Sequence, residues 1–232
     1  MLCRVVHPNS QSEYVRVFFS GFEADYNYWN DLLPYFSNYE CVLLSENYFC
    51  ESEEVTEEQL RKIFKDKKII GIGHSLGYMK LCLLQEKYDF FKLSKIISIE
   101  GFSEYLGSRE PMRSMRKIAL EYMKVSYSIN PIGTLVWFQS ICGAIPDIPT
   151  KVNQDLLQED LKLLDEKVRM PCIPHLVLSS IDDFVVPFYI IQDNFGQCAK
   201  IIYTQTASHL LGMRYPKYVF EEISKFIGGK NG

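Results

Sequence analysis

A short apolar run, Lys68–Gly73, leads straight into Gly73-His74-Ser75-Leu76-Gly77, and an apolar segment continues from Leu76 to about Lys87. The run reads as a buried strand and the segment after it as a helix, so the chain must pass from one to the other within a residue or two. A G-x-S-x-G pentapeptide at that junction meets the requirement, because small residues on either side of the serine let a sharp turn close. The turn lifts the serine hydroxyl clear of the sheet. The helix that starts there offers unpaired N–H groups and the positive end of its dipole to a developing oxyanion. No other stretch limits the fold so tightly, and it nominates Ser75 as a nucleophile.

The remaining periodicity extends this unit in both directions. Tyr14–Ser20 is β-branched and aromatic and ends at Gly21; Cys41–Leu44, Lys95–Ile99, His175–Ser179 and Lys200–Tyr203 are further strand candidates. Helical spacing occurs at Asn30–Phe36, at Glu51–Phe64 with an acidic start, and at Val219–Ile227. Strands alternating with helices specify an α/β fold, a mostly parallel sheet covered on both faces. With 232 residues, the expectation is one domain over 1–232. Its rhythm is interrupted at about 101–170 by a helix-rich insertion without repeats, read as a lid.

Composition excludes several classes. A formal net charge of −4 disfavours bulk nucleic-acid binding. Seven scattered cysteines with no C-x-x-C suggest neither a disulfide framework nor a zinc knuckle, and the first residues lack an apolar signal region. A reducing, cytoplasmic setting is expected. Val125–Pro146 carries no charge and is long enough to span a bilayer, but Asn130, Pro131, Gly133, Gln139 and three serines argue for an apolar surface facing a pocket. The first part of the insertion is basic: Arg109, Arg113, Arg116, Lys117 and Lys124 stand against Glu110 and Glu121. That excess reads either as a solvated helix face or as a surface for an acidic partner.

A serine nucleophile needs a base, and the base an orienting acid. His74 lies inside the turn, His7 precedes the first long strand, and His175 opens a strand beside Pro174. His209, in Thr206-Ala207-Ser208-His209-Leu210, follows the last strand and is the candidate base. Ser180-Ile181-Asp182-Asp183, at the end of the preceding strand, supplies the acid from Asp182 or Asp183. The order Ser, Asp, His is then complete. Tyr127, Trp137, Phe138 and Ile141 are candidates to line an apolar acyl channel, although an aromatic stripe is more often plain core. The chemistry requires no metal and no organic cofactor.

From Val15 almost to its end the chain resembles the α/β-hydrolases. The family's acid loop commonly reads D-x-x-V-P, matched by Asp183-Phe184-Val185-Val186-Pro187, which favours Asp183 over Asp182. Ser20-Gly21-Phe22-Glu23 with Trp29 further on resembles the family's oxyanion loop, so the resemblance implies an oxyanion hole from the Phe22 and Leu76 backbone N–H groups. Ser20 stands where a histidine is usual, and Ser45-Glu46-Asn47-Tyr48 where D-x-x-G is usual. Within the superfamily the size, the short oxyanion loop and a lid beginning near Arg113 are most similar to pimeloyl-acyl-carrier-protein methyl ester esterases of biotin synthesis. That likeness implies a small acyl ester presented by acyl carrier protein, with Arg113, Arg116 and Lys117 as docking residues. General carboxylesterases and acyl thioesterases share the same core motifs.

Two readings from other classes remain. Gly71-Ile72-Gly73 with Glu100 after the next strand could serve a dinucleotide, although Leu76 occupies the place of the third glycine. A catalytically silent hydrolase fold acting as a binding module is the other.

Overall fold

Two-residue alternation in Tyr14–Phe19 determines which way the sheet faces. Val15, Val17 and Phe19 enter the apolar layer on one side, and Phe18 enters the layer on the other. The computed structural model describes residues 1–8, 12–50, 53–204 and 206–228. Its strands are β1 (Leu2–Val6), β2 (Tyr14–Phe19), β3 (Cys41–Ser45), β4 (Lys68–His74), β5 (Leu93–Ile99), β6 (His175–Ser180) and β7 (Lys200–Thr204). Its α-helices are α1 (Glu57–Phe64), α2 (Leu76–Lys87), α3 (Met112–Ile129), α4 (Pro131–Cys142), α5 (Gln154–Leu163), α6 (Phe188–Phe195), α7 (Leu211–Arg214) and α8 (Pro216–Ile227). The sheet order is β1-β3-β2-β4-β5-β6-β7. Only β1 runs antiparallel to its neighbour, and every other pairing is parallel.

β4 and β5 are central and buried on both faces, which is why they read as continuous apolar runs. β1 has no counterpart in the sequence expectations. It is a short edge strand with Leu2 buried and Val5 exposed, and its mixed residues carry no strong period. The segment expected as a helix at Asn30–Phe36 instead holds a 3₁₀ turn, Leu33–Phe36, with proline in its first turn, and another 3₁₀ turn, Tyr26–Trp29, precedes it. α1 is shorter than the expected Glu51–Phe64. Thr56 and Gln59 form a capping box that starts it at Glu57, so Glu53 and Glu54 precede the helix and Glu51 lies outside the described residues. α6 was not anticipated; it follows Pro187 directly.

Between β5 and β6 the chain contributes α3, α4 and α5. The uncharged stretch is divided at Asn130: α3 ends there, Pro131 opens α4, and the Asn130 side chain accepts from Gly133 N–H at 3.0 Å. No helix among the described residues is long and apolar enough to cross a membrane. A buried polar cluster joins the insertion to the sheet layer. Asp160 of α5 accepts from Lys80 of α2 and from the Tyr48 hydroxyl, and Lys80 also pairs with Glu46 at 2.9 Å.

Candidate active site

The C-terminal ends of β4, β5, β6 and β7 point to one rim of the sheet, and the candidate residues gather there. At the end of β4 the chain turns at Ser75 with φ 53° and ψ −125°, a conformation that side chains rarely adopt. Strain of this kind costs about 1–3 kcal/mol per residue and persists only where the surroundings enforce it. Four of the seven non-glycine residues with positive φ among the described residues, Glu23, Ser75, Glu100 and Ser208, lie on this rim. The flanking glycines are demanded by contact. A Cβ on Gly77 would stand 2.1 Å from the Phe19 carbonyl oxygen, and one on Gly73 would stand 2.5 Å from the Tyr78 nitrogen. The motif therefore allows α2 to rise against β2 at backbone distance, with Leu76 at its first turn, where N–H groups have no intrahelical acceptor.

His209 is buried, and its Nδ1–H donates to Asp183 Oδ2 at 2.7 Å. The other Asp183 oxygen accepts from the N–H groups of Val185 and Val186 at 2.8 and 2.9 Å. Three directed interactions thus converge on one geometry: the carboxylate acts as acceptor only, Nδ1 carries the proton, and Nε2 keeps a lone pair with no hydrogen-bond partner among the described residues. Asp182 is engaged elsewhere. Its Oδ1 accepts from Ala207 and Ser208 N–H and so holds the loop that carries His209. Of the two aspartates, the bond to His209 belongs to Asp183. His175 donates through Nε2 to the Pro171 carbonyl at 3.0 Å, away from this rim.

The oxyanion-loop segment is held by the residue that departs from the usual pattern. Ser20 Oγ donates to the Asp25 carbonyl at 2.7 Å and accepts from Trp29 Nε1–H at 2.9 Å, with Trp29 fully buried. Gly21 lets this loop approach the turn, since a Cβ there would meet Ser75 Cβ at 2.9 Å.

Ser75 and His209 line one cavity of about 370 Å³, together with Phe22, Glu23, Phe138 and Cys142. Of the four aromatic and aliphatic candidates, Phe138 alone lines it. Tyr127 is buried in the core, Ile141 is exposed, and Trp137 lines a separate groove between α3 and α4 with Tyr122 and Ile129. The reason is the 100° step of a helix: Phe138, Gln139 and Cys142 share the inward face of α4, while Trp137 and Ile141 point away. The basic candidates differ among themselves. Arg113 pairs with Glu104 and donates to the Gly107 carbonyl. Arg116 donates to the Tyr105 and Val185 carbonyls and lies over the Tyr105 ring. Lys117 is exposed and has no ion pair among the described residues.

Three residues of the rim have no part in the serine-hydrolase reading of the sequence, Glu100 being a candidate only for a dinucleotide. His74 stacks on Tyr28 with ring centroids 3.9 Å apart. Its Nε2–H donates to the His209 carbonyl at 3.2 Å, and burial followed by the neighbouring His209 holds it well below the usual histidine range, hence neutral. Glu100 is fully buried and accepts from Ser180 Oγ at 2.7 Å and from Leu211 N–H at 2.9 Å. Burial, then the Asp183 charge, pushes its carboxyl well above the usual range. The signal for it was a carboxylate closing an otherwise apolar strand. Ligand atoms of His74, Glu100 and His209 lie within 4.8 Å of one another, the one such cluster among the described residues; His74 and Glu100 are already committed to the hydrogen bonds above.

Glu23 is the third. It is 8% exposed, and its Oε1 accepts from Gln139 Nε2. Burial pushes its carboxyl up to about 8, against the opposing effect of the Gln139 hydrogen bond. The native state therefore holds this proton while the unfolded chain releases it near 4.5, so a destabilising contribution grows as pH rises from about 4.5 and levels off above about 8. Glu23→Gln removes it. The variant should gain stability over wild type by a few kcal/mol at about pH 8 and by almost nothing at about pH 4, read from urea midpoints at the two values.

The strand order, the antiparallel first strand and the turn at Ser75 between β4 and α2 make this the α/β-hydrolase fold. Solved structures agree. The chain superposes on an esterase from Exiguobacterium antarcticum with a TM-score of 0.74 at 14% identity, covering 97% of this chain and 94% of that one. MenH from S. aureus gives 0.72 at 14% identity and 97% of each chain. A bromoperoxidase from Bacillus anthracis gives 0.73 at 16%, covering 97% and 94%. At these identities the likeness is one of fold. No protein-family model matches the sequence, and no curated protein matches it.

Proposed function

We propose that the protein is a serine hydrolase of carboxylic esters, with Ser75 as nucleophile, His209 as base and Asp183 as its orienting acid. The observation that carries the reading is the Asp183–His209 bond at 2.7 Å, which leaves Nε2 unprotonated in the cavity that Ser75 lines. His209 takes the Ser75 proton as Oγ attacks the ester carbonyl, and the Phe22 and Leu76 N–H groups hold the oxyanion. The alcohol leaves with that proton. Water, deprotonated by His209, then attacks the acyl-enzyme, releasing the acid and restoring Ser75. Asp183 keeps the imidazole in the required tautomer and stabilises its cation.

The narrower substrate, the methyl ester of pimeloyl-acyl-carrier protein, draws its support from the sequence resemblance and from the exposed ammonium of Lys117. Arg113 and Arg116 have their guanidinium groups engaged within the chain, so carrier docking would depend on Lys117 with a face those arginines only buttress. The broader carboxylesterase reading needs none of these contacts and is the one favoured here. Hydrolysis assays with p-nitrophenyl acetate and with methyl-pimeloyl carrier protein, alongside fluorophosphonate labelling, test both. Turnover of each substrate supports the carrier reading; turnover of the small ester alone leaves the carboxylesterase. Absence of labelling and of turnover overturns the hydrolase reading and favours a binding module.

A further inference from the structure

The wall of the cavity is apolar around Phe22, Phe49 and Phe138, and of the three carboxyl residues that line it, Glu23, Asp25 and Asp147, only Glu23 is buried. Glu23 directly follows the proposed oxyanion residue Phe22, has φ 57°, and lines the same cavity as Ser75 and His209. Its Oε1 is occupied by Gln139 Nε2–H, and Gln139 Oε1 in turn accepts from Asp147 N–H at 2.7 Å, which determines the orientation of that amide. Glu23 Oε2 is buried and has no hydrogen-bond partner among the described residues. A strained backbone residue, a clamped first oxygen and an unpaired second one are a costly arrangement for a merely structural contact, because a buried polar atom left unsatisfied has lost its hydration without gaining a partner. The same arrangement is what a binding site needs when it is to recognise one polar atom of a ligand in an apolar surround.

We propose that Glu23 is a specificity-determining residue, and that its Oε2 donates a hydrogen bond to an uncharged acceptor oxygen of the substrate. The inference rests on the ester-hydrolase reading and deepens it. The preferred substrates are small esters whose acyl chain carries an ether, keto or hydroxyl oxygen close to the scissile carbonyl. Unbroken hydrocarbon chains leave Oε2 unpaired, and chains ending in a carboxylate meet a second acid. Geometry assigns the proton: Oε1 accepts from an amide N–H, so in the acid form the hydrogen resides on Oε2. No lysine, arginine or histidine is paired with Glu23 among the described residues to draw that proton away. The groups that bear on it are Gln139 and Cys142 from α4, Tyr127 from α3 and Tyr48 beyond β3, and His74, His209, Asp25 and Asp147 line the same cavity, the two carboxylates opposing a second negative charge. Neutral tyrosines and a neutral thiol do not stabilise an anion here as a cation would, and Glu23 keeps its proton up to about pH 8. Above that value the donor becomes an acceptor, and the preference for acceptor oxygens should fade.

The test compares p-nitrophenyl methoxyacetate and 3-methoxypropionate with their hydrocarbon counterparts, the butyrate and pentanoate. Each kcat/KM is divided by the rate constant for hydroxide hydrolysis of the same ester, which removes the intrinsic activation by the ether oxygen. At about pH 6.5 the corrected ratio for at least one pair should favour the ether by about tenfold, the size expected for a buried hydrogen bond. Any pH dependence of the shared chemical step cancels between the members of a pair, so the ratio isolates Glu23. In wild type the ratio should fall toward one between about pH 7 and pH 9.5. Glu23→Gln, which keeps the shape and an N–H donor, should retain the preference and lose its pH dependence. Glu23→Leu should abolish the preference at every pH. A wild-type ratio near one for both pairs, or a preference with the same pH profile in Glu23→Gln, overturns the proposal while leaving the hydrolase intact. Absence of hydrolysis of all four esters by the wild-type protein instead overturns the ester-hydrolase reading, and this inference with it.

Discussion

Ser75→Ala is expected to lower kcat for ester hydrolysis by a factor on the order of 10⁵–10⁶, with the melting temperature unchanged within about 2 °C. Both halves follow from the turn. The hydroxyl is the atom that bonds to the acyl group, and removing it leaves His209 with nothing to deprotonate except water. Alanine retains the Cβ and so tolerates φ 53° no better and no worse than serine, which leaves stability where it was. Ser75→Gly separates the two effects. It should be as inactive as the alanine variant but more stable, because glycine relieves a strain of about 1–3 kcal/mol and gives back roughly 0.5–1 kcal/mol in chain entropy. Activity in Ser75→Ala above a tenth of wild type would remove Ser75 as nucleophile. A glycine variant less stable than alanine would show that the strain is not borne at this residue.

Gly77→Ala carries the second large effect, this time on the fold. Its methyl group would lie 2.1 Å from the Phe19 carbonyl oxygen and 2.8 Å from the Ser20 carbonyl oxygen, both backbone atoms of a central strand and its extension. No side-chain rotation relieves such a contact, so α2 must move away from β2 by about 1 Å. Overpacking of this kind costs about 3 kcal/mol or more, lowering the melting temperature by about 6–12 °C. The movement also carries Leu76 and Ser75 with it. Any protein that remains folded should therefore lose about 10²-fold in kcat through misaligned reacting groups. Gly133→Ala is the control. There the new methyl meets the Asn130 side chain, which can rotate away at the expense of its cap on α4, about 1 kcal/mol and no effect on turnover. Equal destabilisation by the two substitutions would mean that the close approach of α2 to β2 is not the reason for the glycine.

Much of the architecture could be read without coordinates. β2, β4 and β6 announce themselves as apolar runs, and the glycines of the Ser75 turn mark the one place where helix and strand must touch. β1 could not be read because an edge strand buries one face and shows little period, and α6 because its eight residues make barely two turns, too few to establish a helical period. The substrate side of the site was legible only in kind. An uncharged aromatic segment at Val125–Pro146 does border the cavity, but its sequence does not tell which of two adjacent aromatics faces inward. The structure gives that place to Phe138 and turns Trp137 to a different groove.

What the sequence by itself determined is local: a strand–turn–helix unit around Ser75 and the order in which serine, acid loop and histidine follow one another. These depend on neighbours a few residues apart, where glycine, β-branching and period act directly. The acid-loop resemblance favoured Asp183, but tertiary structure alone decided that Asp182 secures the loop beneath His209 and that Arg113 and Arg116 are engaged within the chain. It alone brought Glu23, His74 and Glu100 to the rim. Most of those outcomes depend on contacts between segments tens of residues apart, where direction and burial, not residue type, select the partner.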